Sequence, residues 1–168
     1  PDASTFVSEE AVSAGLCGQA RPTHFKGVTT ICAKLFNLCR PTFVALGQKD
    51  AQQVVVLKRM IRDLHFPTEV VIGPTIREPD GLAMSSRNAY LNEKQRSDAL
   101  LLNQALEAGK ALVDEKGVRN VDRVKAELMN VLRNGSSLRV NYAEVVDCET
   151  MKPETEIEMG RSMLVVAV

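Results

Sequence analysis

Phe43-Val44-Ala45-Leu46-Gly47-Gln48-Lys49-Asp50 and, one amphipathic segment later, Val70-Val71-Ile72-Gly73-Pro74 frame the stretch that decides the fold. Phe43 to Leu46 is apolar without alternation, which predicts a strand buried on both faces, and Gly47 ends it. Asp50, with Gln53 three residues on, predicts a helix start through a capping box. Val54, Leu57, Ile61 and Leu64 recur at helical spacing until His65-Phe66-Pro67 closes the helix. Val70, Val71 and Ile72 predict a second buried strand. Strand, helix and strand over about 30 residues make a βαβ unit with parallel strands and a right-handed crossover. Ligands of open parallel sheets gather at the carboxyl ends of the strands. Two loops leave such ends here, at residues 47–50 and 73–77.

The second loop runs into Asp80-Gly81-Leu82-Ala83-Met84-Ser85-Ser86-Arg87-Asn88-Ala89-Tyr90-Leu91. Asp80-Gly81 is a turn signal, and Ser85 is placed to cap a short helix through Tyr90. Two adjacent hydroxyls, unpaired amides at a helix start and a planar guanidinium suit phosphate oxygens. Lys49, the helix start at Asp50, and Ser85, Ser86 and Arg87 together read as one anion site; the alternative is a polar helix cap on a linker with a solvated arginine. Neither a Gly-x-Gly-x-x-Gly nor a Gly-x-x-x-x-Gly-Lys-Ser/Thr segment occurs, so a Rossmann dinucleotide fingerprint or a Walker loop is not supported.

Toward the N-terminus, Phe25, Val28, Cys32, Leu35, Phe36 and Cys39 predict a helix over residues 25–39 with one buried face, stopped by Pro41. Residues 1–23 read as loop with a short helical turn near residues 9–14. Toward the C-terminus, Asn92 and Gln95 form a second capping-box pattern that opens a long helix lined by Leu102, Ala105, Leu106, Leu112 and Val113 and ending near Gly117. A further helix spans residues 121–133, with Val121, Val124, Leu128 and Leu132 inward and Gly135 as its stop. Residues 138–147 alternate as a half-buried strand, Lys152-Pro153-Glu154 is a turn, and residues 163–168 form a last strand antiparallel to 138–147. Glu144, Asp147, Glu154, Glu156 and Glu158 read as solvated or edge charges. Two helices followed by strands is α+β order, unlike the βαβ half. The expected division is a partial nucleotide-binding βαβ domain over residues 1–79 and a small α+β domain over residues 80–168.

The 168 residues carry 45% hydrophobic and 25% charged side chains, an ordinary globular composition. Twenty-one basic residues balance 21 acidic ones, so nothing argues for a nucleic-acid partner or an anionic membrane surface. No apolar run approaches the roughly 18 residues of a membrane helix, and no signal peptide is visible. Cys17, Cys32, Cys39 and Cys148 include no Cys-x-x-Cys pair, and His24 and His65 are the only histidines, so a zinc site is not indicated. Reduced, mostly buried thiols in a cytoplasmic protein are the expectation. A first residue that is Pro rather than Met suggests a fragment or a processed chain.

Arg21-Pro22-Thr23-His24-Phe25-Lys26-Gly27-Val28, then Gly47-Gln48-Lys49-Asp50 with Gln53, then residues 80–91 are similar in order and spacing to three blocks of the pantothenate synthetase (pantoate–β-alanine ligase) family. Asp-Gly-Leu-Ala-Met-Ser-Ser-Arg-Asn is the most specific of them. The resemblance implies the second half of a nucleotidylyltransferase-type, Rossmann-like parallel-sheet domain, followed by a small α+β C-terminal domain that acts as a lid. It implies condensation of pantoate with β-alanine through a pantoyl adenylate, at the expense of ATP. It assigns the triphosphate to Lys49, Ser85, Ser86 and Arg87, and the nucleotide to Gly47, Gln48, Lys49, Asp50, Ile76, Met84, Ser85, Ser86 and Arg87. Within that set Gly47 and Asp50 face the ribose, while the Ile76 backbone and the Met84 side chain frame the adenine. Gln53 would hold pantoate, in competition with its capping role. Arg21 and His24 match the Arg-Pro-x-His loop, where a direct site role and a loop-forming role both stay open. ATP with Mg²⁺, a homodimer and a cytoplasmic location are further implications, the magnesium ligands being expected mostly outside this chain.

Departures from the family pattern set further expectations. The family's early His-x-Gly-His, the first of its two pantoate glutamines and the acidic residues near magnesium have no match among these residues. Cys17 stands where members often have Glu, and Gln48 where many have Glu. The 168 residues by themselves are therefore expected not to make pantothenate, to bind ATP weakly, and to self-associate through an exposed sheet edge. Rival readings are another nucleotidylyltransferase and a non-catalytic nucleotide-binding or dimerisation fragment.

Overall fold

The computed structural model describes residues 2–168. The chain divides into two compact units, Pro1–Pro74 and Thr75–Val168. Residues 75–79 fall with the second unit because Arg77 bridges Ala83 in antiparallel fashion and Glu78 N–H donates to Leu82 O at 2.8 Å.

The first unit contains α1 (Cys17–Ala20), α2 (His24–Cys39), β1 (Phe43–Gly47), α3 (Ala51–Asp63) and β2 (Glu69–Gly73). β1 and β2 pair in parallel, from Phe43 opposite Glu69 to Gly47 opposite Gly73, as the βαβ reading requires. Ala33, Phe36, Leu57, Met60 and Ile61 form the core, and Val28, Cys32, Val44, Leu46 and Val70 pack against it. Phe36 and Phe66 meet edge to face with ring centroids 5.6 Å apart.

Several expectations fail here for identifiable reasons. The two strands are not buried on both faces: Val44 and Leu46 turn toward the helices, while Phe43, Val71 and Ile72 are 62%, 51% and 47% exposed. The buried face of α2 is Phe25, Thr29, Ala33 and Phe36, which leaves Leu35 and Cys39 exposed. Thr29 belongs to that face because its hydroxyl donates to Phe25 O at 2.8 Å and Val7 O at 2.7 Å, which satisfies it where it is fully buried. Leu64 lies beyond the end of α3 and is 48% exposed. The capping box at Asp50 does not form, and Asp50 makes no side-chain cap bond. A 3₁₀ turn over Gln48–Asp50 leads straight into α3 and leaves Asp50 at φ −97°, ψ 54°, away from the extended geometry of a cap. Residues 9–14 are not helical: the Glu9 carboxylate gathers the N–H groups of Ala11, Val12 and Ser13, and the helical turn comes later, at α1. The thiols are not mostly buried, since Cys39 is exposed and Cys17, Cys32 and Cys148 are partly so.

The second unit contains α4 (Glu93–Asp114), α5 (Val121–Leu132), β3 (Tyr142–Asp147) and β4 (Ser162–Ala167). The Asn92–Gln95 capping box forms in full. Val121, Val124, Leu128 and Leu132 are the buried residues of α5, as their spacing predicts. They meet Ala105, Val113, Ala143 and Val145 in a core set against the antiparallel β3–β4 pair. Each valine or leucine among them that is fully withdrawn from water contributes about 1.5–3 kcal/mol. α4 can approach this closely because Gly109 has no Cβ: one there would lie 2.7 Å from Leu164 Cδ2 and 2.8 Å from Leu128 Cδ2.

Three expectations change in this unit. β3 begins at Tyr142: residues 138–140 are irregular and the chain bends at Asn141, whose N–H already donates to Ala167 O at 2.8 Å. Gly135 is not a left-handed stop; α5 ends at Leu132, and Gly135 is small because a Cβ would lie 2.7 Å from Leu138 and 2.9 Å from Leu101. Asp147 is no solvated charge. It is 6% exposed and accepts from Thr150 N–H at 2.7 Å, Glu149 N–H at 3.0 Å and Arg161 Nε at 2.6 Å. These bonds, first of all the one from the Thr150 amide, hold its carboxyl down to about 2. The chain reverses at residues 148–150 around that carboxylate, ahead of the expected turn at Lys152–Glu154.

Candidate functional site

In the first unit the candidate residues collect at the carboxyl ends of the strands. Gly47 and Gly73 close the paired strands side by side, so both loops leave one edge. Gln48, Lys49 and Asp50 form the exposed 3₁₀ turn after β1. Lys49 Nζ lies 4.0 Å from Asp50 Oδ1, an exposed pair of little consequence that leaves the ammonium able to meet an anion. Gln53, half-buried in the first turn of α3, is not used as a cap.

Its neighbour Gln52 is the residue that sequence reasoning missed. Gln52 is 5% exposed, with Oε1 accepting from Cys17 N–H at 3.0 Å and Nε2 donating to Val12 O at 3.0 Å and Gly15 O at 2.8 Å. One buried amide thus ties the start of α3 to the start of α1. Arg21 N–H donates to Cys17 O at 2.9 Å and His24 N–H to Arg21 O at 3.0 Å, so the same tie extends to the Arg21–His24 corner. Arg21 is exposed there; His24 is half-buried, its ring 5.0 Å from that of Phe25. A signal existed, because Gln52 shares the four-residue spacing of the buried Val56 and Met60. A polar residue on an apolar stripe must find partners. Gly18 is equally constrained, since a Cβ there would lie 1.6 Å from Ser13 O.

In the second unit, residues 76–84 fold back as a hairpin in which Met84 N–H donates to Ile76 O at 2.9 Å. The Ile76 and Met84 side chains are 60% and 57% exposed. A 3₁₀ helix, Ser86–Tyr90, follows, and Ser85 caps it by accepting Arg87 N–H on its Oγ at 3.2 Å. Ser85 thereby keeps its own hydroxyl proton for another acceptor. Ser86 and Arg87 are exposed, so two hydroxyls and a guanidinium are presented from one turn. The hairpin carries charge of its own: Arg96, at the start of α4, lies 2.5 Å from both Glu78 Oε2 and Asp80 Oδ2.

The structure thus gathers Gly47, Gln48, Lys49, Asp50 and Gln53 in the first unit, and Ile76, Met84, Ser85, Ser86 and Arg87 in the second. Among the described residues no three His, Cys, Asp or Glu side chains group as a metal site requires. Among the described residues no helix is long and apolar enough to cross a membrane.

All of residues 1–168 match the family described as Pantoate-beta-alanine ligase. A pantothenate synthetase of Pseudothermotoga lettingae is 44% identical over 99% of this chain and 58% of its own length. That of Thermosipho melanesiensis is 47% identical over 99% and 59%. The crystal structure of pantothenate synthetase from Thermus thermophilus superimposes with a TM-score of 0.90 at 39% identity, over 98% of this chain and 59% of that one. A pantoate-beta-alanine ligase from Francisella tularensis, complexed with beta-gamma ATP and beta-alanine, gives a TM-score of 0.65 at 26% identity over 83% of this chain and 49% of that one. The chain therefore spans a little under three fifths of the length of the curated relatives it matches.

Proposed function

This chain belongs to the pantoate-beta-alanine ligase family, and on that premise we propose that it supplies the triphosphate-binding wall of an enzyme that joins pantoate to β-alanine. The observation that carries the reading is the Ser85-capped turn, which presents Ser86 and Arg87 to solvent inside a chain that matches the family throughout. The Francisella relative, complexed with beta-gamma ATP and beta-alanine, gives the ligand chemistry that such a turn would meet.

The reaction follows from where charge develops. A pantoate carboxylate oxygen attacks the α-phosphorus of ATP, the P–O bond to the β-phosphate breaks, and pyrophosphate leaves with the electron pair. The β-alanine amine then attacks the acyl carbon, loses a proton, and expels AMP. Phosphoryl transfer asks mainly for positioning and for positive charge opposite the departing phosphates. Lys49, Ser85, Ser86 and Arg87 supply those donors. Gly47 and Asp50 meet the nucleotide sugar, Gln48 belongs to the same nucleotide-binding set, and the Ile76 backbone and Met84 frame the base. Gln53, free of a capping duty, hydrogen-bonds pantoate. Arg21 and His24, at the corner that Gln52 ties down, match the family's Arg-Pro-x-His loop, in a direct site role or in forming that loop. The βαβ unit is part of a nucleotidylyltransferase-type, Rossmann-like sheet, the second unit is its lid, and the enzyme works as a cytoplasmic homodimer.

Two measurements test this. Titration of the 168-residue chain with ATP is expected to give weak saturable binding that Arg87→Ala abolishes; unchanged binding in the variant would remove the clamp. In AMP release with ATP, pantoate, β-alanine and magnesium, the 168 residues by themselves are expected to fall far below a relative of full family length. In a form that turns over, Lys49→Ala should lower the chemical step about a hundredfold, on the order of 3 kcal/mol, with a smaller effect on ATP binding. Wild-type turnover in that variant would take Lys49 out of the mechanism.

A further inference from the structure

The turn that carries Ser85, Ser86 and Arg87 is short and exposed, and its own hydrogen bonds are few. Its geometry is set from the side. Asn88 Nδ2 donates to Ala83 O at 3.1 Å and to Glu78 Oε1 at 3.1 Å, which ties the 3₁₀ helix back to the hairpin. The other Glu78 oxygen, Oε2, accepts from Arg96 Nη2 at 2.5 Å. Arg96 Nη1 reaches Asp80 Oδ2 at 2.5 Å, and Asp80 Oδ1 accepts Leu82 N–H at 3.2 Å. A fork from the first turn of α4 thus holds both arms of the hairpin, and through Glu78 and Asn88 it reaches the residue next to Arg87.

We propose that Arg96 is the positioning residue of the phosphate-binding turn, acting through Glu78 and Asn88, and that it also neutralises two carboxylates that would otherwise repel a triphosphate. The inference rests on the triphosphate reading of residues 85–87. The planar fork is what the arrangement needs, because each nitrogen takes one oxygen of a different carboxylate while the plane stays fixed. A lysine is a point charge without a planar fork, so it would neutralise charge without fixing both carboxylates in one geometry. Arg96 Nη1 and Nη2 are engaged by Asp80 and Glu78, so its effect on the nucleotide passes through them.

The test uses the whole 168-residue chain in three forms: wild type, Arg96→Met, and Arg96→Met with Glu78→Gln and Asp80→Asn. Two readouts are taken on each sample: hydrogen exchange of the Met84, Asn88 and Leu91 amides, and affinity for ATP against AMP. Arg96→Met is expected to speed exchange at those amides at least tenfold while the α5 amides stay as in wild type. It should weaken ATP at least tenfold and AMP much less. The triple variant should recover the preference for ATP over AMP, because the repelling charges are gone, but not the slow exchange. Arg96→Lys should fall between wild type and Arg96→Met. If Arg96→Met does not fold, Asn88→Ala cuts the same line at its other end and must speed exchange at Met84 and Leu91. Unchanged exchange in a folded Arg96→Met chain, or equal losses for ATP and AMP with no recovery in the triple variant, would overturn the proposal. A wild-type chain that binds no ATP would instead strike at the triphosphate reading, while the exchange rates still decide whether Arg96 holds the turn.

Discussion

Strand residues of one kind meet opposite fates in the two units. In the first, Val71 and Ile72 of β2 are 51% and 47% exposed, although they sit in an apolar run. In the second, Val145 and Val146 of β3 are both fully buried. For Val71 the difference lies in what covers the second face; Ile72 shares the face of Val70 and is exposed at the carboxyl end of the strand, where the loop departs. β1 and β2 rest one face on the core formed with α2 and α3. β3 has Val145 turned to the α5 core, while Val146 bridges Pro153 in a returning segment whose Met151 is 3% exposed. An apolar run therefore specifies a strand without specifying how many of its faces are covered.

The comparison can be broken most sharply by truncation. Leu128→Ala, in the fully buried core of the second unit, should cost about 2–5 kcal/mol, whereas Val71→Ala on the exposed face of β2 should cost less than about 1 kcal/mol. Urea unfolding followed through amide signals of each unit measures both. An equal cost for Val71→Ala would mean that the outer face of β2 is covered in solution.

A smaller effect separates two adjacent glutamines. Gln52→Ala removes the bonds to the Cys17 amide and to the Val12 and Gly15 carbonyls, and should cost about 1–3 kcal/mol within the first unit. Gln53→Ala, which breaks no cap, should change stability by less than about 0.5 kcal/mol and act instead on the pantoate KM. In a form that turns over, melting temperature and pantoate KM from the same samples decide. A Gln53→Ala loss confined to stability would return that residue to a structural role.

The smallest effect is a pH dependence lodged in the second unit. Asp98 accepts from Lys94 Nζ at 2.7 Å and from Ser137 Oγ at 2.7 Å, and these bonds, the lysine's first, hold its carboxyl at about 2. Asp147 is likewise held at about 2. Both carboxyls are more acidic folded than at their ordinary value of 3.8, so their stabilisation is complete above that value. It should fade as the pH drops through about 2. Denaturation midpoints of the second unit between pH 5 and pH 2 should fall less steeply in Asp147→Asn than in wild type. Equal slopes would remove Asp147 from the acid limb.

Most of the fold was legible because it follows from local rules. The inward face of α5, the Asn92–Gln95 box and the Ser85 cap rest on residues a few positions apart, and the parallel β1–β2 pair follows from two apolar runs joined by a single helix. The failures share a different cause. The Asp50–Gln53 box has the right letters, but the 3₁₀ turn before it sets Asp50 in the wrong conformation. Asp147 looked like an edge charge because its partners, Thr150 and Arg161, meet it only when the chain reverses.

The sequence alone determined the family and the residue types at the candidate site: a lysine after β1, and two serines and an arginine in a turn. Those identities lie in short contiguous blocks, and a block reads the same in any tertiary setting. Only the tertiary structure decided which polar groups are spent on holding the protein together. Gln52 is consumed by backbone groups 35 to 40 positions away, and Arg96 by carboxylates 16 and 18 positions away. Those distances in sequence carry no periodic signal. A hydrogen bond is fixed by separation and angle in space, and only the folded chain supplies both.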